Sequence, residues 1–420
     1  MQMKKIAILV LAMCLVSGSI VGCKSQPQEK TKDASEQAAT ETNASYLETY
    51  FGVKLSEESL NAESFSEAIK GVAGDEAEPV EGNLTALSAI KAAVKAADYD
   101  ELALSYTEDK VKARMEHYGI KKGADAYLLT AMDTGLVSEE EGITAIDTDE
   151  ITVEQGQNLL MAIANANGDA RNYLGYSNDV GIYSKVDNAW NSFLLFDNSE
   201  LSEIGKNAVL EGVTTGYGLK SKAYDAKFLP ELTLQYGHSD IKHAHQLLGL
   251  LNSENIVAKV QLEPKISIYQ YLLEWGPIPE STPTYEVKKF SDDLYLVYAV
   301  EYDMQLEFAN KDDMLKFDEV INTYAKKNEG NEEAKGLIYS SWWQPLYSTT
   351  VSNMPEDSYH EIIDCVIENG MYSIHPFCLP ENQDEVISKL EKLAGTLEVT
   401  PIPRYCNTAF YHYMKGEDYQ

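Results

Sequence analysis

Leu232-Thr233-Leu234-Gln235-Tyr236, the stretch from Ser239 to Leu251, and Ile256-Val257-Ala258-Lys259-Val260-Gln261-Leu262 follow one another with short breaks, and their reading decides the fold. The first and third have strand character. The middle one carries Ile241, Ala244, Leu248 and Leu251 at helical spacing, as one buried stripe. Strand, helix and strand in that order make a β-α-β unit, whose two strands are expected to lie parallel with the helix across one face.

Further along the chain, Leu294 to Phe308 is rich in Tyr, Val and Leu and should supply more sheet. Asp312 to Lys326, Tyr359 to Asn369 and Glu385 to Leu393 read as helices, each beside a short strand candidate. Toward the N-terminus the composition changes near Asp179, and from Tyr46 to about Leu174 helical periodicity dominates. Phe65, Ile69 and Val72 recur at three- and four-residue spacing, as do Leu84, Leu87, Ile90, Val94 and Ala97. Thr85 and Thr152 each open such a segment as an N-cap, and Gln155 completes a capping box with Thr152. The fold class is therefore α+β: a helical module over residues 46–175, then a domain with a mixed α/β sheet over residues 176–420.

Ala124 to Val137, ending Asp133-Thr134-Gly135-Leu136-Val137, then an acidic loop, then Ile151-Thr152-Val153-Glu154-Gln155 to Ala164 resembles an S-layer homology repeat. A fainter copy runs from Ser64 to Ala97, its Thr85 lying 67 positions before Thr152. Such repeats hold secondary cell-wall polysaccharide through a Thr-Arg-Ala-Glu motif, so the resemblance implies glycan contacts at Thr152 and Glu154. Val153 stands where the motif has its arginine, and Leu84-Thr85-Ala86-Leu87 lacks both the arginine and the acid. A charge-assisted hydrogen bond to an acidic sugar is thereby removed.

The chain opens Met1-Gln2-Met3-Lys4-Lys5, continues with an uncharged apolar run from Ile6 to Val21, and closes that run with Gly22-Cys23. This is the plan of a secretory leader, and its 16 apolar residues fall short of the roughly 20 that span a bilayer. Ile20-Val21-Gly22-Cys23 resembles the bacterial lipobox, which implies cleavage after residue 22, a diacylglycerol on Cys23 and durable attachment through two or more acyl chains. Residues 23–45 lack any aromatic or large aliphatic residue before Ser45 and read as a solvated tether. The expected location is the outer face of the cell membrane.

Removing the leader takes away two of 34 basic residues and none of 67 acidic ones, which leaves a net charge of −35. Such acidity repels nucleic acid and anionic headgroups, so no nucleic-acid partner is expected. Cys365, Cys378 and Cys406 remain beside Cys23 after Cys14 is lost. Their odd number leaves a free thiol or an intermolecular bond, and their pairing is open.

Tyr236-Gly237-His238-Ser239-Asp240 places a serine between strand and helix, where a nucleophile elbow would have it. Ile241 occupies the position that an elbow needs small, and Ser239 or Asp240 as a helix N-cap explains the same residues. His238, His243 and His245 raise the question of a metal, but their spacing does not put all three on one helical face, and exposed faces of the helix are expected for them. Trp342-Trp343-Gln344-Pro345 and 27 tyrosines supply rings for core packing or for stacking on sugars. No catalytic residue, metal ligand or cofactor is assigned. The expectation is a non-catalytic envelope protein that meets the membrane through its lipid and binds wall polysaccharide or another surface protein. The alternatives are a surface hydrolase using Ser239 with the nearby histidines, or a solute-binding lipoprotein of a transporter.

Overall fold

A computed structural model of the chain describes residues 42–193, 196–324, 333, 349–352 and 354–417. Cys23, the leader, nearly all of the tether and Trp342-Trp343 lie outside the described residues. The first described helix, α1 (Asn43–Phe51), begins slightly before the expected boundary because Thr42 and Ser45 form a reciprocal capping box. It is followed by α2 (Ala62–Ala73), α3 (Ala86–Ala96), α4 (Asp100–Leu104), α5 (Glu108–His117), α6 (Ala126–Thr134), α7 (Glu139–Ile146) and α8 (Val153–Ala166). Thr85 caps α3 and Thr152 caps α8, with Ser88 and Gln155 as the reciprocal partners. Gly135 ends α6 in the left-handed conformation that favours glycine. Phe65, Ile69, Ile90, Leu128, Leu160 and Ile163 meet in one core beneath these helices.

The sheet region contains β1 (Gly175–Tyr176), α9 (Ile182–Asn191), α10 (Ser199–Leu210), β2 (Gly216–Ser221), β3 (Thr233–His238), α11 (Ile241–Ser253), β4 (Ala258–Gln270), β5 (Tyr285–Lys289) and β6 (Tyr295–Phe308). It ends with α12 (Lys311–Tyr324), β7 (Tyr359–Asn369), β8 (Tyr372–Cys378), α13 (Gln383–Ala394), β9 (Val399–Asn407) and α14 (Thr408–Lys415). The fold is α+β, with helices preceding a curled nine-stranded sheet of order β3-β6-β4-β2-β8-β7-β9. β1 adds to β4 and β5 to β6. Each neighbouring pair among the described strands is antiparallel, so the sheet is not mixed. The β3-α11-β4 crossover is present and its strands run the same way, but both pair with β6, which lies between them.

Residues Tyr359–Asn369 form strand β7, not the expected helix. Ile362, Ile363, Val366 and Ile367 are spaced as on a helix face, yet three isoleucines and a valine favour a strand. β7 lies between β8 and β9 and is buried on both faces, which erases the alternation that marks a half-exposed strand.

One face of the sheet is apolar and covered by helices. Leu234, Tyr236, Val260, Leu262, Met304 and Leu306 pack under α9, α11 and α12. Tyr217, Leu219, Ile268, Ile363 and Ile374 pack under α10 and α13. Side chains alternate along a strand, so the residues between these all point to the opposite, concave face. Among the described residues no helix is long and apolar enough to cross a membrane.

All three described cysteines are buried thiols, and the Cys365 and Cys378 sulfurs lie 3.8 Å apart on β7 and β8. A small disulfide oxidant such as oxidised dithiothreitol is therefore expected to join Cys365 to Cys378, itself being reduced, and to leave Cys406 a thiol. Non-reducing peptide mapping checks this, and a bridge to Cys406 is the contrary result.

Candidate functional site

The concave face carries a row of polar residues that the strand pleat gathers without help from loops. On β4 these are Lys259, Gln261, Glu263, Lys265 and Ser267, and on β6 they are Glu307, Gln305, Asp303 and Glu301. The register sets Lys259 opposite Glu307 and Lys265 opposite Glu301, and it also sets two acids, Glu263 and Asp303, opposite each other. Like charges so placed repel. Lys220 of β2 relieves the conflict, with Nζ 2.5 Å from Asp303 Oδ2 and 3.6 Å from Glu263 Oε2. Lys265 Nζ donates to Asp303 Oδ1 at 2.8 Å.

Asp303 has no exposed surface. Burial works to raise its carboxyl, but the two lysines outweigh burial and hold it well below the usual carboxylate range. Burial raises the Glu263 carboxyl, against the pull of Lys220. Gly218 and Gly237 make room for this cluster. A Cβ at Gly218 would meet Lys265 Cδ at 2.8 Å, and one at Gly237 would meet Asp303 Oδ1 at 2.9 Å.

A second cluster lies on β7, β8 and β9. Asp364, also without exposed surface, accepts from Arg404 Nε at 2.6 Å and lies 3.0 Å from His375 Nδ1. His375 Nε2 is 2.9 Å from Ser373 Oγ. Burial works to raise Asp364, but the charges and hydrogen bonds of His375 and Arg404 prevail and bring it down to about 2.

Two cavities open on this face and share Lys220, Gln235, His375 and Arg404 in their walls. The first, of about 520 Å³, has an aromatic wall. Tyr271 and Trp275 meet edge to face at 5.4 Å, Trp275 lies 6.2 Å from Tyr413 of α14, and Phe410 of α14 meets Phe377 at 6.1 Å. Its charged lining consists of Lys220, Lys265 and Arg404 against Glu301, Asp303 and Asp364, three charges of each sign. The second cavity, of about 560 Å³, lies between Tyr50 of α1 and the sheet.

The histidines of the β3–α11 corner do different work from that expected. His243 is buried, not exposed: its Nδ1 meets the Tyr236 hydroxyl at 2.7 Å and its ring stacks on His238 at 3.7 Å. Burial, with His243 beside it, pushes His238 down to about 3, so that ring is neutral. His245 faces Asp187, 2.9 Å away but off the line of a hydrogen bond. Asp240 is the N-cap of α11 and accepts from Lys242 N. Ser239 is exposed and borders the first cavity, and its hydroxyl bonds none of the three histidines among the described residues. No cluster of three or more His, Cys, Asp or Glu among the described residues is arranged to hold a metal ion.

Thr152 and Glu154 lie exposed at the start of α8, and the Thr152 hydroxyl is occupied in capping Gln155 N at 3.2 Å. Neither lines the cavity of about 720 Å³ in the helical module, which Leu136, Glu141, Ile151, Gln155 and Asn158 border. Reading the sequence by motif passed over Lys220, Lys265, Asp303, Asp364, His375 and Arg404. For Lys265 and Asp303 the available signal was the strict alternation of Lys259 to Tyr269 and of Glu301 to Phe308. No family model, curated protein or solved structure matches the chain.

Replacing Asp364 by Asn leaves Arg404 buried without its anion and is expected to cost about 3 kcal/mol at pH 7. The carboxyl is depressed in the folded state, so its contribution is complete above an unfolded value of about 4 and fades as pH falls toward about 2. Urea unfolding at several pH values should show wild type and Asp364→Asn converging over that window, and a constant difference would contradict the assignment.

Proposed function

We propose that the chain is a lipid-anchored binding protein on the outer face of a bacterial membrane, and that its sheet domain takes a neutral glycan in the aromatic-walled cavity. The observation that carries this reading is the combination of partly exposed rings with a charge-balanced polar lining. Aromatic faces attract the apolar C–H faces of a sugar ring, and fixed donors and acceptors hydrogen-bond its hydroxyls. Three positive and three negative groups offer no net attraction to a strongly charged ligand. The volume, about 520 Å³, is within the range of small-molecule sites. Export and acylation at Cys23 supply the location, and the acidic surface of the mature chain fits a role away from nucleic acid. The helical module, with its likeness to wall-binding repeats, is a second place where polysaccharide or a surface protein can be held.

Titration of the mature chain with soluble fragments of neutral wall glycan should quench tryptophan fluorescence. Trp275→Ala should weaken binding about tenfold, since a stacked ring contributes on the order of 1 kcal/mol beyond its buried area. An unchanged affinity in that variant would remove the aromatic wall from the reading. The anchor has its own test: cells fed a clickable palmitate analogue should label the chain, and Cys23→Ala should abolish the label.

A further inference from the structure

We propose that Ser373 is an activated nucleophile for acyl transfer, which attacks small carboxylic esters in the cavity between α1 and the sheet. Ser373 and His375 stand two apart on β8 and therefore share its concave face. His375 Nε2 lies 2.9 Å from Ser373 Oγ, and His375 Nδ1 lies 3.0 and 3.2 Å from the two oxygens of Asp364. Asp364 is ionised at neutral pH, so the proton between them belongs on Nδ1. The lone pair of Nε2 then faces the serine hydroxyl. Nucleophile, base and orienting carboxylate stand in the order that general-base activation requires. Arg404 Nε holds the carboxylate from a second side at 2.6 Å, which fixes its position independently of the imidazole.

The same cavity supplies positive charge for the oxyanion. β8 pairs with β2 on one side and β7 on the other, so its backbone N–H groups are committed to the sheet, and side chains must act instead. Lys220 is the cross-strand partner of Ser373, and neighbouring side chains in such a pair lie within about 5.5 Å at Cβ. Lys220 and Arg404 both line the cavity with Ser373 and His375. Cationic side chains aimed at developing negative charge are an established form of such stabilisation.

In the acylation step, Ser373 Oγ bonds to the ester carbonyl carbon while its proton passes to His375 Nε2. The tetrahedral adduct collapses, the C–O bond to the alcohol breaks, and the alcohol leaves with that proton. Water, deprotonated by His375, then adds to the acyl-serine and releases the carboxylic acid, returning the proton to Ser373. The inference does not rest on the glycan reading, because Ser373 lines the cavity beside α1 and not the aromatic-walled one.

The test uses the mature chain with an alkyl phosphonofluoridate, in which Ser373 Oγ displaces fluoride from phosphorus. The expected result is one adduct per folded chain, located on Ser373 by peptide mass spectrometry. Labelling should slow at least 100-fold in His375→Gln and disappear in Ser373→Ala, and 4-nitrophenyl acetate should give a matching acyl adduct. Absence of an adduct on the folded wild-type chain, an adduct on another serine such as Ser239, or an unchanged rate in His375→Gln would overturn the proposal. Mapping on the wild-type chain decides the matter even where a variant does not fold.

Discussion

Asp303 sits in the longest described strand with no surface in contact with solvent, and both neighbouring strands carry polar side chains on the same face. An ionised carboxylate buried in that way is tolerable only when its charge is met at close range. Lys220 and Lys265 meet it from two sides, and Lys220 also reaches toward Glu263, which stands directly opposite Asp303. The concave face is thus closed as an ionic lattice. Removing Asp303 leaves two lysines without that counter-charge, and removing either lysine leaves the buried carboxylate with one, so the lattice constrains the sheet.

That constraint explains features of the surrounding chain which have no rationale taken singly. Gly218 and Gly237 flank Lys265 because a side chain would occupy the space of the lysine's methylene stem at the first and of its ammonium group and carboxylate partner at the second. At the far end of the row, Glu307 accepts from Lys259 at 2.7 Å and from Leu229 N at 2.7 Å, and it lies 3.2 Å from Arg171 Nε. Arg171 in turn lies over the Tyr46 ring at 3.7 Å, and the Tyr46 hydroxyl donates to Lys227 O. A chain of charged and aromatic contacts therefore runs from the middle of the sheet into α1, and the second cavity opens beside that junction.

Part of this architecture is legible in the sequence. The caps at Thr85 and Thr152 announce α3 and α8 through local hydrogen bonds alone, and the crossover from β3 through α11 to β4 follows from nearby residues. The insertion of β6 between those strands is a long-range pairing that no local pattern encodes. β7 was hidden because burial on both faces replaces alternation with a continuous apolar run. The alternation of Glu301-Tyr302-Asp303-Met304-Gln305-Leu306-Glu307-Phe308 shows plainly that one face is polar. It does not show that this face is curled inward, because the same alternation also suits a face turned to solvent. His243 misled for the complementary reason. Its burial depends on the Tyr236 hydroxyl, supplied by the preceding strand, and on a neutral His238 ring to stack against.

The division of labour around Asp364 links the two cavities. Its single negative charge is shared by Arg404, which is permanently charged, and His375, which need not be. His375 bridges the cluster, with Nδ1 3.0 Å from one Asp364 oxygen and Nε2 2.9 Å from Ser373 Oγ. Strands β7, β8 and β9 hold all four side chains, so the geometry is set by backbone pairing and needs no loop to close before it exists. His375 and Arg404 border the aromatic-walled cavity as well as the one beside α1. The two cavities are therefore not independent pieces of the surface: the backbone pairing of β7, β8 and β9 that fixes Asp364 also fixes the wall between them.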